Sequence, residues 1–302
     1  MRKIYSVFLC GLFAVPTSLL YAQTESAERD FVLEAIAELN EHDFQTEINA
    51  ETLLTIYRED VAQIITTQTF ADQVNYTTNG DYSAQRNLRV QAESEVDNFL
   101  ETGSIDLSLR RVDDVEYIQI VGFDASELVE IPNIELRAWL TLEEYVENME
   151  SDTLRIAFLN LAQIQHPLLE DYDEDTILSV TELDNETLDG VTMRVFDVEV
   201  DAIELSFRQQ MRSLRFIYDR PDEEVVAEME AARGQSMPEG TIIEGTFRVW
   251  VGEEDGLLYQ WEVTSYSWIE YDTFTPIETA YQGRFHISHY DNIGPITTPE
   301  IE

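Results

Sequence analysis

From Thr69 to Val121, and again from Ile242 to Tyr290, apolar and polar residues alternate with a period of two. In an extended chain that period puts every second side chain on the same face, so a folded product must give it a sheet with one face buried. Leu88, Val90 and Ala92 mark such a face in one segment, and Ile105, Leu107 and Leu109 mark it in another. Turn chemistry separates the segments. Asn79-Gly80-Asp81 and the Gly252-Glu253-Glu254-Asp255-Gly256 tip both carry glycines suited to unusual backbone angles. The segments Thr69–Tyr76, Gln85–Ser94, Ser104–Arg110 and Val115–Val121 therefore read as an antiparallel meander with one face wet. A strand pair, Ile177–Leu183 and Val191–Val200, follows later. The last third reads as Ile242–Val251, Leu257–Tyr266, Ile269–Thr273 and Tyr281–Tyr290, with Leu257, Tyr259, Trp261 and Val263 on one side.

Between these blocks the apolar spacing becomes helical. Ala27–Leu39 sets Phe31, Val32, Ile36 and Leu39 on one stripe. Asn49 is placed to cap a helix carrying Leu53, Leu54, Tyr57, Val61 and Ile64. Leu142, Tyr145, Val146 and Met149 form a short helix. Ser151 or Asp152 opens another through Ile164, which stops before His166-Pro167. Ile203–Tyr218 aligns Phe207, Met211 and Leu214, and Pro221 continues it toward Ala232. Helices and antiparallel strands in separate blocks predict an α+β fold, with helices lying over one face of a curved sheet.

The N-terminus predicts export. Arg2 and Lys3 precede an apolar run from Ile4 to Leu20, and Ala22 supplies a small residue at the cut, the three parts of a secretory leader over residues 1–22. Pro16, Thr17 and Ser18 leave the run too short to span a bilayer, which takes about 20 residues. Cys10 does not make a lipoprotein signal, because bulky Phe8 and Leu9 stand where small residues are needed. It leaves with the leader, so the mature chain, residues 23–302, has no cysteine for a disulfide. The expected address is the periplasm or the exterior.

Losing Arg2 and Lys3, the two charges of the leader, moves the formal net charge from −43 to −45. Such a surface repels nucleic acid and anionic membranes. It suits salty, acidic or cation-rich surroundings, where screening over roughly 3–10 Å relieves self-repulsion. No later segment is apolar enough to span a membrane as a helix, and no linker or repeat divides residues 23–302. Loose ends are expected at about 23–28 and 297–302.

Thr181–Asp201, with the turn Glu186-Thr187-Leu188-Asp189-Gly190, resembles a hairpin of the LolA/LppX-like (LppX/LprAFG-type) bacterial envelope lipid carriers. Phe247–Val251 followed by Asp255–Leu258 resembles the tryptophan strand and turn of that superfamily, and Phe285–Pro299 resembles its closing strand and proline exit. The resemblance implies a half-open barrel whose concave face is covered by helices, a single domain over 23–302, and an apolar cavity that accepts lipid chains. Cavity-lining candidates are Phe207, Met211, Leu214, Val249, Leu257, Tyr259, Trp261 and Phe285.

Chemistry-bearing motifs are sparse. Asp171-x-Asp173-x-Asp175, with Glu182 at the twelfth position, has the ligand spacing of a calcium loop. Thr176 stands where the sharp turn needs glycine, so the bland reading is an exposed acidic loop. His286 and His289, three apart on a strand, face opposite sides and make a poor metal pair. Gly234-Gln235-Ser236-Met237-Pro238 follows a helix where a nucleophile elbow follows a strand. No phosphate loop, dinucleotide fingerprint or HExxH occurs, so no enzyme activity and no cofactor are expected. The functional expectation is an exported protein that carries a lipid or other apolar ligand. The alternative is an envelope interaction or sensor module that binds a protein partner and holds no lipid.

Overall fold

A computed structural model describes residues 27–58, 61–94, 99–125, 138–147, 172–201, 204–205, 208, 242–269 and 276–300. The elements in chain order are α1 (Ala27–Leu39), β1 (Phe44–Arg58), β2 (Val61–Tyr76), β3 (Tyr82–Ser94), β4 (Phe99–Val112), β5 (Val115–Ala125), β6 (Leu140–Thr141) and α2 (Leu142–Glu147). Then follow β7 (Ile177–Glu182), β8 (Glu186–Leu188), β9 (Val191–Val200), β10 (Ile242–Gly252), β11 (Leu258–Ile269) and β12 (Ile277–Ser288).

All twelve strands belong to one sheet, in the order β6-β5-β4-β3-β2-β1-β12-β11-β10-β9-β7, with β8 also on β9. Every pairing is antiparallel. Two hairpin series, β1–β6 and β7–β12, meet where β1 pairs β12 from Gln45↔Ser288 to Ile56↔Ile277. Most neighbours in the sheet are therefore close in sequence, and among the described strands the β1–β12 seam is the pairing that joins the first series to the second. Strands β6 and β7 are the two edges, and they do not pair with each other among the described residues.

The α+β expectation is corrected. Among the described residues, two helices accompany twelve strands, so the fold is all-β, not a sheet covered by helices, and the likeness to the LolA/LppX-like carriers is not upheld. The clearest misreading lies at 49–64. Leu53, Tyr57, Val61 and Ile64 have helical spacing, yet the chain there forms β1 and β2. Thr52, Thr55, Ile56, Val61 and Ile64 lie in the segment, and β-branched side chains lose less freedom on a pleated strand than in a helix. Tertiary pairing decided the outcome, because β1 has β2 on one side and β12 on the other. Leu53, placed on the core stripe by helical spacing, is exposed. Of the other expected helices, Ala27–Leu39 is α1, and Leu142 and Tyr145 lie in α2. The segments beginning at Ser151 and Ile203 fall outside the described residues, apart from helical backbone at Glu204, Leu205 and Arg208.

The two faces of the sheet differ sharply. Inward-facing residues form one apolar cluster reaching from Ile118 and Ile120 on β5, through β4, β3, β2, β1, β12, β11 and β10, to Phe196 and Val198 on β9. Helix α1 adds Val32, Ala35, Ile36 and Leu39, and α2 adds Tyr145. The outer face is polar, with Glu47, Glu51, Gln85, Arg89, Gln282 and Arg284 exposed. Near β8 an apolar group forms outside, where Met193, Val195 and Trp250 pack under Leu183, Leu188 and Tyr259.

Candidate functional site

The inner face of β9–β12 carries the largest concentration of aromatic side chains over the sheet. Trp261 on β11 lies 4.7 Å, ring centre to ring centre, from Phe285 on β12 and 6.1 Å from Phe247 on β10. Tyr172 stacks on Phe247 at 4.8 Å, nearly parallel. These positions follow from register, since Trp261 is opposite both Phe285 and Val249. Val249, Trp261 and Phe285, three of the cavity-lining candidates, are thus brought together and buried.

A β-bulge decides the fate of two others. The β10–β11 register shifts between Trp250 and Val251, so Tyr259 is the extra residue. Simple alternation places Leu257, Tyr259, Trp261 and Val263 on one side. In the structure Leu258 joins Trp261 and Val263 in the inner cluster, while Tyr259 packs outside beside Trp250 and Leu257 sits in the turn before β11. Tyr259 donates to Asp255 at 2.7 Å, and burial together with that hydrogen bond pushes its phenol up to about 12. The Asp255-Gly256 pair was visible in the sequence; the bulge beside it was not. Phe207, Met211 and Leu214 lie outside the described residues.

Polar groups also enter the inner face. Asp72 on β2 and Arg86 on β3 are direct register partners with both side chains turned inward. Arg86 Nε donates to both oxygens of Asp72 at 3.0 Å, and Nη2 donates to Oδ2 at 2.5 Å. Each side chain is at most 3% exposed, and the guanidinium also lies 5.8 Å from the Phe70 ring centre. Burial raises the phenols of Tyr76 and Tyr281, and the Asp72 carboxylate raises them further. No motif search finds this pair, because an Asp and an Arg fourteen residues apart in a strand-rich acidic chain carry no distinctive signature. Two more buried polar atoms, Trp261 Nε1 and Thr46 Oγ1, have no hydrogen-bond partner.

At one end of the sheet Glu116 on β5 lies 3.4 Å from the hydroxyl of Tyr82, which donates to it. Burial lifts its carboxyl to about 6, with Arg111 and the Tyr82 hydrogen bond pulling the other way.

Asp173 and Glu182, two of the acids in the calcium-loop spacing, are used internally. Asp173 Oδ1 accepts from the backbone amides of Asp175 at 2.9 Å and Thr176 at 3.2 Å, an Asx-type turn. Its Oδ2 accepts from Arg208 at 2.6 Å. Partial burial works against ionisation of Asp173, but Arg208 and the two amides outweigh it and hold the carboxyl below its usual range. Glu182 accepts from Arg194 at 2.7 and 3.0 Å, and Arg194 lies over the rings of Phe31 and Phe196. Asp171 lies outside the described residues, and no group of three metal-ligating side chains occurs among the described residues.

No family model matches the chain, and no curated protein matches it. Among solved structures it aligns with the translocator domain of the autotransporter NalP from Neisseria meningitidis, at 7% identity over 85% of this chain and 94% of that one. The TM-score is 0.19, which does not carry a shared fold. The distribution of polarity differs in kind from a membrane-spanning barrel as well. Such barrels turn an apolar band outward to lipid, whereas most of the buried apolar residues described here lie on the inner face, and Glu47, Glu51, Arg89 and Arg284 are exposed on the outer one.

Proposed function

We propose that this is an exported, non-catalytic binding protein whose inner sheet face takes up an apolar ligand, a lipid chain being the simplest. The observation that supports the reading is the continuity of the inner apolar cluster over ten strands, from β5 round to β7, against a polar outer face. Among the described residues the edges β6 and β7 do not pair, so the sheet's halves can separate there without breaking hydrogen bonds between those two strands. Each methylene removed from water contributes ~0.8 kcal/mol, so one long acyl chain gains on the order of 10 kcal/mol before ordering costs. No special polar motif is needed for that, in keeping with the scarcity of such motifs in the chain. The leader at residues 1–22 is the basis for export, and a β-rich fold is consistent with a place in the cell envelope.

The test is native mass spectrometry of the protein purified without detergent, followed by titration with a fluorescent fatty acid. An adduct of lipid mass that organic extraction removes, with probe uptake by the extracted protein, supports the reading. A bare protein mass together with no probe uptake would overturn it.

A further inference from the structure

After β12 the chain leaves the sheet and runs past the end where Phe44, Tyr76, Tyr82 and Leu258 close the core. Tyr290 is its first anchor. The ring packs 6.4 Å from Phe44 and 5.9 Å from Tyr259, and its hydroxyl donates to the backbone carbonyl of Leu258. Asp291 is the second: its amide donates to the Asp43 carbonyl at 2.7 Å, and its carboxylate accepts from His42 Nδ1 at 2.8 Å. Farther on, Arg110 donates to the Thr297 carbonyl at 3.0 Å, and Pro299 is buried. The turn that starts this segment is strained, since His289 and Asp291 both take left-handed backbone angles, at φ 55° and 52°. Contacts must hold it in place.

We propose that His42 and Asp291 form a proton-operated latch that fastens this C-terminal strap across the end of the inner core. The groups facing the imidazole come from three directions. Glu38 on α1 lies 3.4 Å from Nε2, Asp291 lies on the strap, and the Tyr290 ring meets His42 edge-on at 5.6 Å. The carboxylate of Asp43, next in sequence, is taken up by the amide of Thr78 at 2.7 Å. With His42 neutral, the carboxylates of Glu38 and Asp291 repel one another in a chain of net charge −43. A proton on His42 turns that repulsion into attraction on two sides at once.

The titration has the matching direction. Partial burial lowers the His42 pKa, but the hydrogen bond and charge of Asp291, and then those of Glu38, outweigh it and raise it above 6.5. Fastening is therefore complete below the ordinary histidine pKa and is lost as pH rises through the raised one. The latch stands independently of what the inner face holds.

Hydrogen exchange tests it, with rates corrected for intrinsic pH dependence and the β1 and β12 amides as an internal reference. The amides of Asp291 and Asn292 lose protection roughly two- to fivefold between pH 5.5 and 8.5, the range for a surface ion pair. His42→Gln and Asp291→Asn each give low strap protection that no longer changes with pH, while the reference strands stay protected. Strap protection that is the same at both pH values in the unaltered protein, or a pH profile that survives His42→Gln, overturns the proposal.

Discussion

The buried Asp72–Arg86 pair and the half-buried Glu116 show how single residues set the stability of this sheet. The Asp72–Arg86 pair is almost free of solvent and bidentate, so removing one partner leaves a charge in low dielectric. Asp72→Ala is predicted to cost about 3–5 kcal/mol in urea unfolding. Replacing both residues by apolar ones of similar size should recover most of that loss, since an uncompensated charge then no longer remains. Glu116 works in the opposite sense. Its folded pKa of about 6 lies above the ordinary 4.5, so the folded state holds the proton more tightly. That contribution is complete below pH 4.5 and is lost as pH rises through 6. Glu116→Gln should flatten this fall and raise stability at pH 7 by on the order of 1–2 kcal/mol. Chemical unfolding of the two proteins from pH 4 to 7 measures the difference. Neither Asp72 nor Glu116 stands out in the sequence, where they are two acids among 61.

At the scale of elements, β12 is the strand on which the fold turns, because among the described strands it is the one that pairs the C-terminal half to β1. Gly283 lies in its middle, opposite Ala50 and Val263, facing inward beside the buried ring of Tyr281. A Cβ added there would stand 2.3 Å from the Tyr281 hydroxyl oxygen. Gly283→Ala therefore forces that ring to shift within a packed interior and should destabilise by about 1–3 kcal/mol, read as a lower urea midpoint. The need for glycine here comes from a neighbour two residues away, so no turn signal announces it. Strand periodicity, by contrast, was readable wherever a single face is buried, as in β3, whose burial alternates from Tyr82 to Leu88. It failed where a bulge adds a residue. At Tyr259 the inward set moves from odd-numbered to even-numbered positions in crossing the bulge toward the turn, and nothing in Leu257–Val263 marks the place. It failed also at β1–β2, where Leu53, Leu54, Tyr57, Val61 and Ile64 happen to recur at helical spacing.

For the whole molecule, charge is the property that conditions everything else. A net charge of −43 over 302 residues repels itself in the compact state, and the polar outer face of the sheet carries part of it. Salt screens that repulsion, so the melting temperature should climb by several degrees, roughly 5 °C, between low salt and about 0.5 M sodium chloride. Differential scanning calorimetry decides it, and an unchanged midpoint would remove the argument for a salt-adapted surface. Composition and local pattern alone determined this acidity, the leader-like N-terminus, and most strands after Thr69, because charge count and period-two alternation are local properties of the chain. Tertiary structure alone decided that 49–58 and 61–64 pair as strands, that Asp72 meets Arg86, that the carboxylates of Asp173 and Glu182 serve arginines, and that β12 seals onto β1. Each of these depends on which distant strand supplies the partner, and that is settled by pairing and burial over the whole sheet and not by any one segment.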